Sequence, residues 1–245
     1  MVTPKTLLKA SFGASQDFFR SPGKAQPLSV AALPYAQPIM VPIRSIGPSH
    51  IERIATHLLL LKAPDRYLRF GYAANDEQVR RYVDGLNYER DEIFGIYNRK
   101  LELIAMAHLA FSADAELSSC AEFGVSVLGS ARGRGFGSRL FERAVIHARN
   151  EGVGMMFIHA LSENTAMLNI ARKAGAIIEQ DGSESEAYLK LPPADLDSRM
   201  TEMLEEQIAQ TDYRLKVQAK QFWSFLTAVQ DVRRGIRDAR DKSAA

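Results

Sequence analysis

The run from Val125 to Val145, VSVLGSARGRGFGSRLFERAV, constrains this chain more than any other stretch of it. An apolar β-type segment ends at Val127, four glycines and four arginines crowd the next positions, and an apolar pattern of helical period follows at once. Strand, glycine-rich turn and helix in that order direct the N–H groups of the turn and of the first helical turn at one point. The helix dipole adds positive potential there, which makes an anion site. Gly133, Gly135 and Gly137 allow close approach or positive φ, and Arg132 and Arg134 bring charge that pairs with phosphate oxygens. The ligand class is a phosphate or pyrophosphate. A dinucleotide fingerprint fails, because Ser138 stands where its third glycine is required, and a P-loop fails for want of its lysine. The spacing R-x-x-G-x-G, Arg132 to Gly137, does fit.

Bulk composition narrows the partners. Lys and Arg number 31 against 29 Asp and Glu, for a formal net charge of +2, so no polyanion field covers the chain and no nucleic acid is expected. The basic run RRGIRDARDK is interrupted by acids and does not change that. No segment reaches the length of a membrane span, and the N-terminus has no secretory pattern. One cysteine, Cys120, excludes an internal disulfide framework and fits a reducing, cytoplasmic setting; it reads as a small buried residue. No His, Cys, Asp and Glu grouping has metal spacing, so no metal is expected.

Three regions separate by composition. Residues 1–38 mix Pro, Ser, Ala and Gly and read as an arm or tail. Residues 39–193 alternate strand and helix patterns. A strand over IMVPIRSI precedes a helix over PSHIERIATHLLLL with Ser49 as N-cap and a second helix over NDEQVRRYVDGL. Two apolar runs joined at NRK and a third strand, CAEFGVSVL, lead into the glycine turn and its helix. The strand MMFIHA, a helix opening at Asn164 and closed by Gly175, and a final hairpin complete an α/β fold. Residues 194–245 read as a long amphipathic helix, with Leu204, Ile208, Leu215, Ala219, Phe222, Leu226, Val229, Val232 and Ile236 at helical spacing. Such a helix docks onto the parent domain or pairs two subunits in a homodimer; Phe222, Trp223 and Phe225 carry much apolar area for one short stretch.

In this context the R-x-x-G-x-G turn resembles the pyrophosphate loop of the GNAT superfamily of N-acetyltransferases. Within it, DRYLRFGY (Asp65–Tyr72), AEFGVSV (Ala121–Val127) and ENTAMLNIARKAG (Glu163–Gly175) are similar to segments of bacterial protein-lysine acetyltransferase domains. The resemblance implies a mixed, largely antiparallel sheet flanked by helices and splayed between its fourth and fifth strands. It implies acetyl-CoA as co-substrate, with Val125, Ser126 and Val127 lending backbone groups to the pantetheine arm and thioester. Arg132, Gly133, Arg134, Gly135, Phe136, Gly137 and Ser138 would hold the pyrophosphate, and Asn164 would touch the cofactor from the following helix. Tyr67, Arg69 and Phe70 fall in the region that forms the acceptor wall of relatives.

Acetyl transfer to an amine needs a base, a polarised carbonyl and a stabilised leaving thiolate. Glu122 matches the glutamate base of many relatives, with Glu116 as second choice. The family's tyrosine acid is replaced by Ala171, which leaves Tyr188, Tyr97, His159 or water as substitutes; His159 otherwise reads as a core or strand-end residue. The expected activity is an N-acetyltransferase moving acetyl from acetyl-CoA to a primary amine, a protein lysine or a small amine. The alternative is a non-catalytic acyl-CoA sensor on the same fold.

Overall fold

The structure, a computed structural model, describes residues 41–113 and 119–243, so the expected arm at 1–38 and Glu116 lie outside the described residues. The chain enters through β1 (Arg44–Ser45) and a 3-10 turn, then α1 (Ile51–Leu59), α2 (Ala63–Phe70) and α3 (Asp76–Asp84). Next come β2 (Glu92–Tyr97), β3 (Leu103–Phe111), β4 (Cys120–Val127) and, after the glycine turn, α4 (Phe136–Asn150). It closes with β5 (Met155–Leu161), α5 (Thr165–Lys173), β6 (Ile177–Asp181), β7 (Glu184–Lys190) and α6 (Leu196–Ser243). The seven strands form one sheet in the order β1-β2-β3-β4-β5-β7-β6.

Local chemistry accounts for most boundaries. Asn75 and Gln78 cap α3 reciprocally, each side chain accepting from the other's backbone N–H at 2.9 Å. The sequence reading missed α2, although Pro64 near its start and Gly71 after its end, at φ 78°, mark a helix by chain chemistry alone. Ser49 is no cap: α1 starts two residues later with His50 at the N-cap, and the Ser49 hydroxyl lies 3.1 Å from the His50 ring. The expected first strand is cut to two residues, paired to Phe94 and Gly95 of β2.

Both faces of the sheet are covered. Phe94, Ala107, Leu109, Ala121 and Phe123 face α4 and α5, where Phe123 meets Phe141 edge to face at 5.0 Å. Ile93 and Met106 face Ile54, Leu58, Val79 and Val83 on α1 and α3. Two buried faces explain why the central strands read as continuous apolar runs rather than alternating ones.

All neighbours pair antiparallel except β4 and β5, which run parallel over only Cys120↔Met155, Ala121↔Met156 and Glu122↔Phe157. Past that point β4 stays with β3 as far as Val127, whereas β5 follows β7 along its whole length to Leu161. A wedge opens between them, and the start of α5 sits beside it.

The first half of α6 packs on α4 through a buried cation. Arg143 is 2% exposed and meets Glu202 at 2.7 Å, with Glu205 and Glu206 at 3.8 and 3.6 Å. Glu202 also accepts from His147 and Asn150. Burial alone would raise the Glu202 pKa, but hydrogen bonds from His147, Asn150 and Arg143 outweigh it and bring the value down to about 2. Farther along, Arg53 donates to the Tyr213 hydroxyl at 3.0 Å and Lys216 to the Tyr97 carbonyl at 2.9 Å. Beyond Lys216, Phe222, Trp223 and Phe225 are exposed.

Candidate active site

The wedge owes its chemistry to the strand ladder. Leu128 N–H bonds to Ile104 O at 3.0 Å and Ser112 N–H to Cys120 O at 3.1 Å, so even-numbered residues of β4 turn their main-chain groups to β3. Odd-numbered residues therefore turn theirs to β5. Because β5 has left by then, Val125 and Val127 present main-chain groups to the wedge without a strand partner. Ser126, expected to act alongside them, borders the same cleft but has other polar partners. Its backbone faces β3, and its buried hydroxyl lies 2.8 Å from His57 Nε2.

On one side the wedge opens into a cleft of about 430 Å³ lined by Val125, Val127, the glycine turn, Asp65 of α2 and the first turns of α5. Gly133 and Gly135 both take φ 75°, a left-handed conformation that a side chain would strain, and Gly135 is the N-cap of α4. No side chain caps that helix, and Arg139 is the first residue to bond back, to Gly135 O at 3.1 Å. The N–H groups of Phe136, Gly137 and Ser138 are left as donors at the positive end of a fifteen-residue helix. Arg132 reaches across to Asp65 at 2.7 Å, while Arg134 is exposed and does not line the cleft. Asn164 caps α5 by accepting from Met167 N–H at 3.2 Å, which leaves its amide NH₂ as a donor.

On the other side lies a cleft of about 370 Å³ that contains Glu122, His159, Glu184 and Glu186. Leu68, Arg69, Val125, Asn164 and Met167 line both clefts, so the two adjoin. Glu122 is exposed on the face shared with Gly124, opposite the buried Phe123. His159 is not in the core: it is half exposed and pairs with Glu186 at 2.9 Å. Cys120 is partly rather than fully buried. Tyr188 donates to Glu186, and this bond pushes its pKa up to about 12; it does not line the cleft. Tyr97 is buried against Tyr213 of α6, in the cluster with α1 and α3, and lines neither cleft. Ala171 is fully buried among apolar residues of the α4–α5 layer, with no access to either cleft.

A chain of polar groups lies beside Glu122. Arg69 donates to the Tyr82 hydroxyl at 2.7 Å, that hydroxyl lies 2.7 Å from His108 Nδ1, and His108 Nε2 lies 3.1 Å from Asp91. Burial, only partly offset by Asp91, lowers the His108 pKa, so its ring is neutral near pH 7. Asp91 is itself held low: burial would raise it, but hydrogen bonds from Arg90 and His108 prevail. With the proton on Nε2 facing the carboxylate, Tyr82 donates to Nδ1 and every group is satisfied. Sequence reasoning missed Tyr82, His108 and Asp91, along with Asp65, Lys173 and Glu186. They come from separate elements and share no motif.

Among the described residues no group of three His, Cys, Asp or Glu side chains could hold a metal ion, and no helix is long and apolar enough to cross a membrane. Residues 60–176 match the model of the acetyltransferase (GNAT) family. The fold is similar to that of the GNAT domain of S. lividans PAT, at TM-score 0.53 and 19% identity over 61% of this chain and 89% of that one. It is also similar to a protein from Acinetobacter baylyi ADP1 described as a candidate acetyltransferase, at TM-score 0.51 and 17% identity over 62% of this chain and 95% of that one. A cAMP-binding acyltransferase from Mycobacterium smegmatis shares 22% identity over 72% of this chain and 51% of its own length, at TM-score 0.45; the chain spans about half of that protein. No curated protein sequence matches the chain. At these identities the likeness is one of fold.

Proposed function

From the premise that residues 60–176 form a domain of the acetyltransferase (GNAT) family, we propose that this protein moves acetyl from acetyl-CoA to a primary amine. One observation carries the reading: an anion cradle at the start of α4 runs through an unpaired strand edge into a carboxylate-lined cleft. The pyrophosphate rests on the glycine turn, with Arg132 and the N–H groups of Phe136, Gly137 and Ser138 around it. Main-chain groups of Val125 and Val127 hold the pantetheine and the thioester carbonyl, and the Asn164 amide steadies the arm. Glu122, directly or through one water, takes the proton of the amine. Protein lysine is the favoured acceptor: the second cleft opens at the surface and carries Glu122, Glu184 and Glu186 for a long cationic side chain. A cytoplasmic setting fits the single cysteine.

Self-association through α6 belongs to the same proposal. Leu215, Ala219, Phe222, Leu226 and Val229 alternate spacings of four and three, the seam of a coiled coil, and Leu215 and Phe222 are 60% and 58% exposed. The occupant of that seam is a second copy of the chain.

Calorimetric titration with acetyl-CoA tests the cradle. Wild type binds, whereas Gly135→Glu, still folded by circular dichroism, loses at least about 100-fold in affinity through strain at positive φ and charge against phosphate. Equal binding by the two proteins rules out the glycine turn as the site. The buried Ala171 favours one second reading, an acyl-CoA sensor without turnover. Glu122→Gln separates the two: an enzyme keeps cofactor affinity and loses about 10²- to 10⁴-fold in kcat, whereas a sensor has no turnover to lose.

A further inference from the structure

Arg69 lines both clefts with its charge unpaired. Arg66, Arg132 and Arg143 pair with Asp76, Asp65 and Glu202, whereas Arg69 has no ion pair among the described residues. Among the described residues it donates to the neutral Tyr82 hydroxyl. It is half-buried and lines both clefts where they meet. Gly124 lies directly beneath it: a Cβ built there would stand 2.9 Å from the guanidinium carbon, so a side chain at that position would push the group away from β4. Its field reaches into the molecule, where it disfavours protonation of both His57 and His108. The guanidinium is held by a relay from four places in the chain, α2, α3, β3 and the residue before β2, ending at Asp91 and Arg90. A charge left without a counterion and fixed so firmly at a cleft junction calls for a transient anion.

We propose that Arg69 stabilises the thiolate that departs during acetyl transfer, a task for which the buried Ala171 supplies no side chain, and that Tyr82, His108 and Asp91 position it. The inference rests on the acetyltransferase reading above. The amine nitrogen forms a bond to the thioester carbon, and its proton passes to Glu122. The carbon–sulfur bond breaks with its electron pair on sulfur, and the thiolate leaves as an anion facing the guanidinium, to be protonated afterwards by water. Arginine does not give up its proton in proteins, so it contributes charge and not acid catalysis.

Titrating coenzyme A bound to the protein, read by the ultraviolet absorbance of the thiolate, tests this without turnover. In the wild type the thiol pKa falls by about one unit or more relative to free coenzyme A. Arg69→Met returns it to the free value, and Arg69→Lys keeps part of the fall. In assays with a lysine peptide, Arg69→Met lowers kcat about 100-fold with little change in KM. Tyr82→Phe and His108→Gln cost about tenfold in the wild type and nothing further in Arg69→Met, the non-additivity of positioning residues. An unshifted thiol, or full kcat in Arg69→Met, overturns the proposal. Should Arg69→Met fail to fold, an unshifted thiol in the wild type decides alone. Absence of coenzyme A binding by the wild type fells the acetyltransferase reading and this inference with it; binding without a shift fells this inference only.

Discussion

His57 is 1% exposed, with Nδ1 2.8 Å from the Leu103 carbonyl and Nε2 2.8 Å from the Ser126 hydroxyl. A carbonyl only accepts, so Nδ1 carries the proton and the serine donates to Nε2. Burial drives the pKa from 6.5 to about 4, opposed by the hydrogen bond to Leu103 and reinforced by Arg69. The unfolded chain binds a proton below pH 6.5 that the folded chain refuses until about pH 4. The stabilisation is therefore whole above 6.5 and fades as pH falls through that window, by on the order of 3 kcal/mol. Urea titrations of His57→Asn between pH 4 and 7 show a pH slope shallower by about one proton; an unchanged slope removes His57 from the account. Such a pair was invisible beforehand, since nothing in a sequence tells which histidine of a helix will meet which serine of a strand.

At the scale of elements, the decisive contact is between α4 and α6. Arg143 falls on the buried face of α4, where an amphipathic pattern calls for an apolar residue, and only the carboxylates of α6 make it tolerable there. Glu202→Gln strips its nearest counterion but leaves Glu205 and Glu206, so urea denaturation shows a loss of about 2 kcal/mol at pH 7. That loss shrinks as pH drops from 4.5 toward 2, because the native carboxylate itself becomes protonated there. Arg143→Met, which removes the buried charge as well, is the milder variant. The strands, the glycine turn, α4 and α5 were legible because periodicity and turn chemistry are local signals. The wedge, which depends on where β5 abandons β4, is a property of pairing between distant segments. The glycine turn pointed to Val125, Ser126 and Val127 through a family likeness, whereas only the ladder register tells that main-chain groups of Val125 and Val127 lack a strand partner and those of Ser126 face β3.

For the whole molecule, α6 is a docked helix along its first half, whereas past Lys216 Phe222, Trp223 and Phe225 are exposed. If a second copy covers Leu215 and Phe222, sedimentation velocity shows a dimer that Phe222→Glu with Trp223→Glu returns to monomer, while acetyl-CoA affinity stays within about twofold, since the clefts lie on other elements. A wild-type monomer at tens of micromolar, about the range of weak self-association, discards the self-association.

The short pairing of β4 with β5 has a mechanical side. Among the described residues three ladder pairs, with Ser119 O accepting from Gly154 and Met155 N–H at their end, join β1 through β4 to β5, β7 and β6, so the seam Cys120–Glu122 and Met155–Phe157 is placed as a hinge pin would be. Anything lodged in the wedge becomes a strut between two leaves, and it fixes their angle as well as filling the gap. Amide hydrogen exchange at Met156 and Phe157 should then slow when coenzyme A is added, although neither residue lines the cleft at the glycine turn.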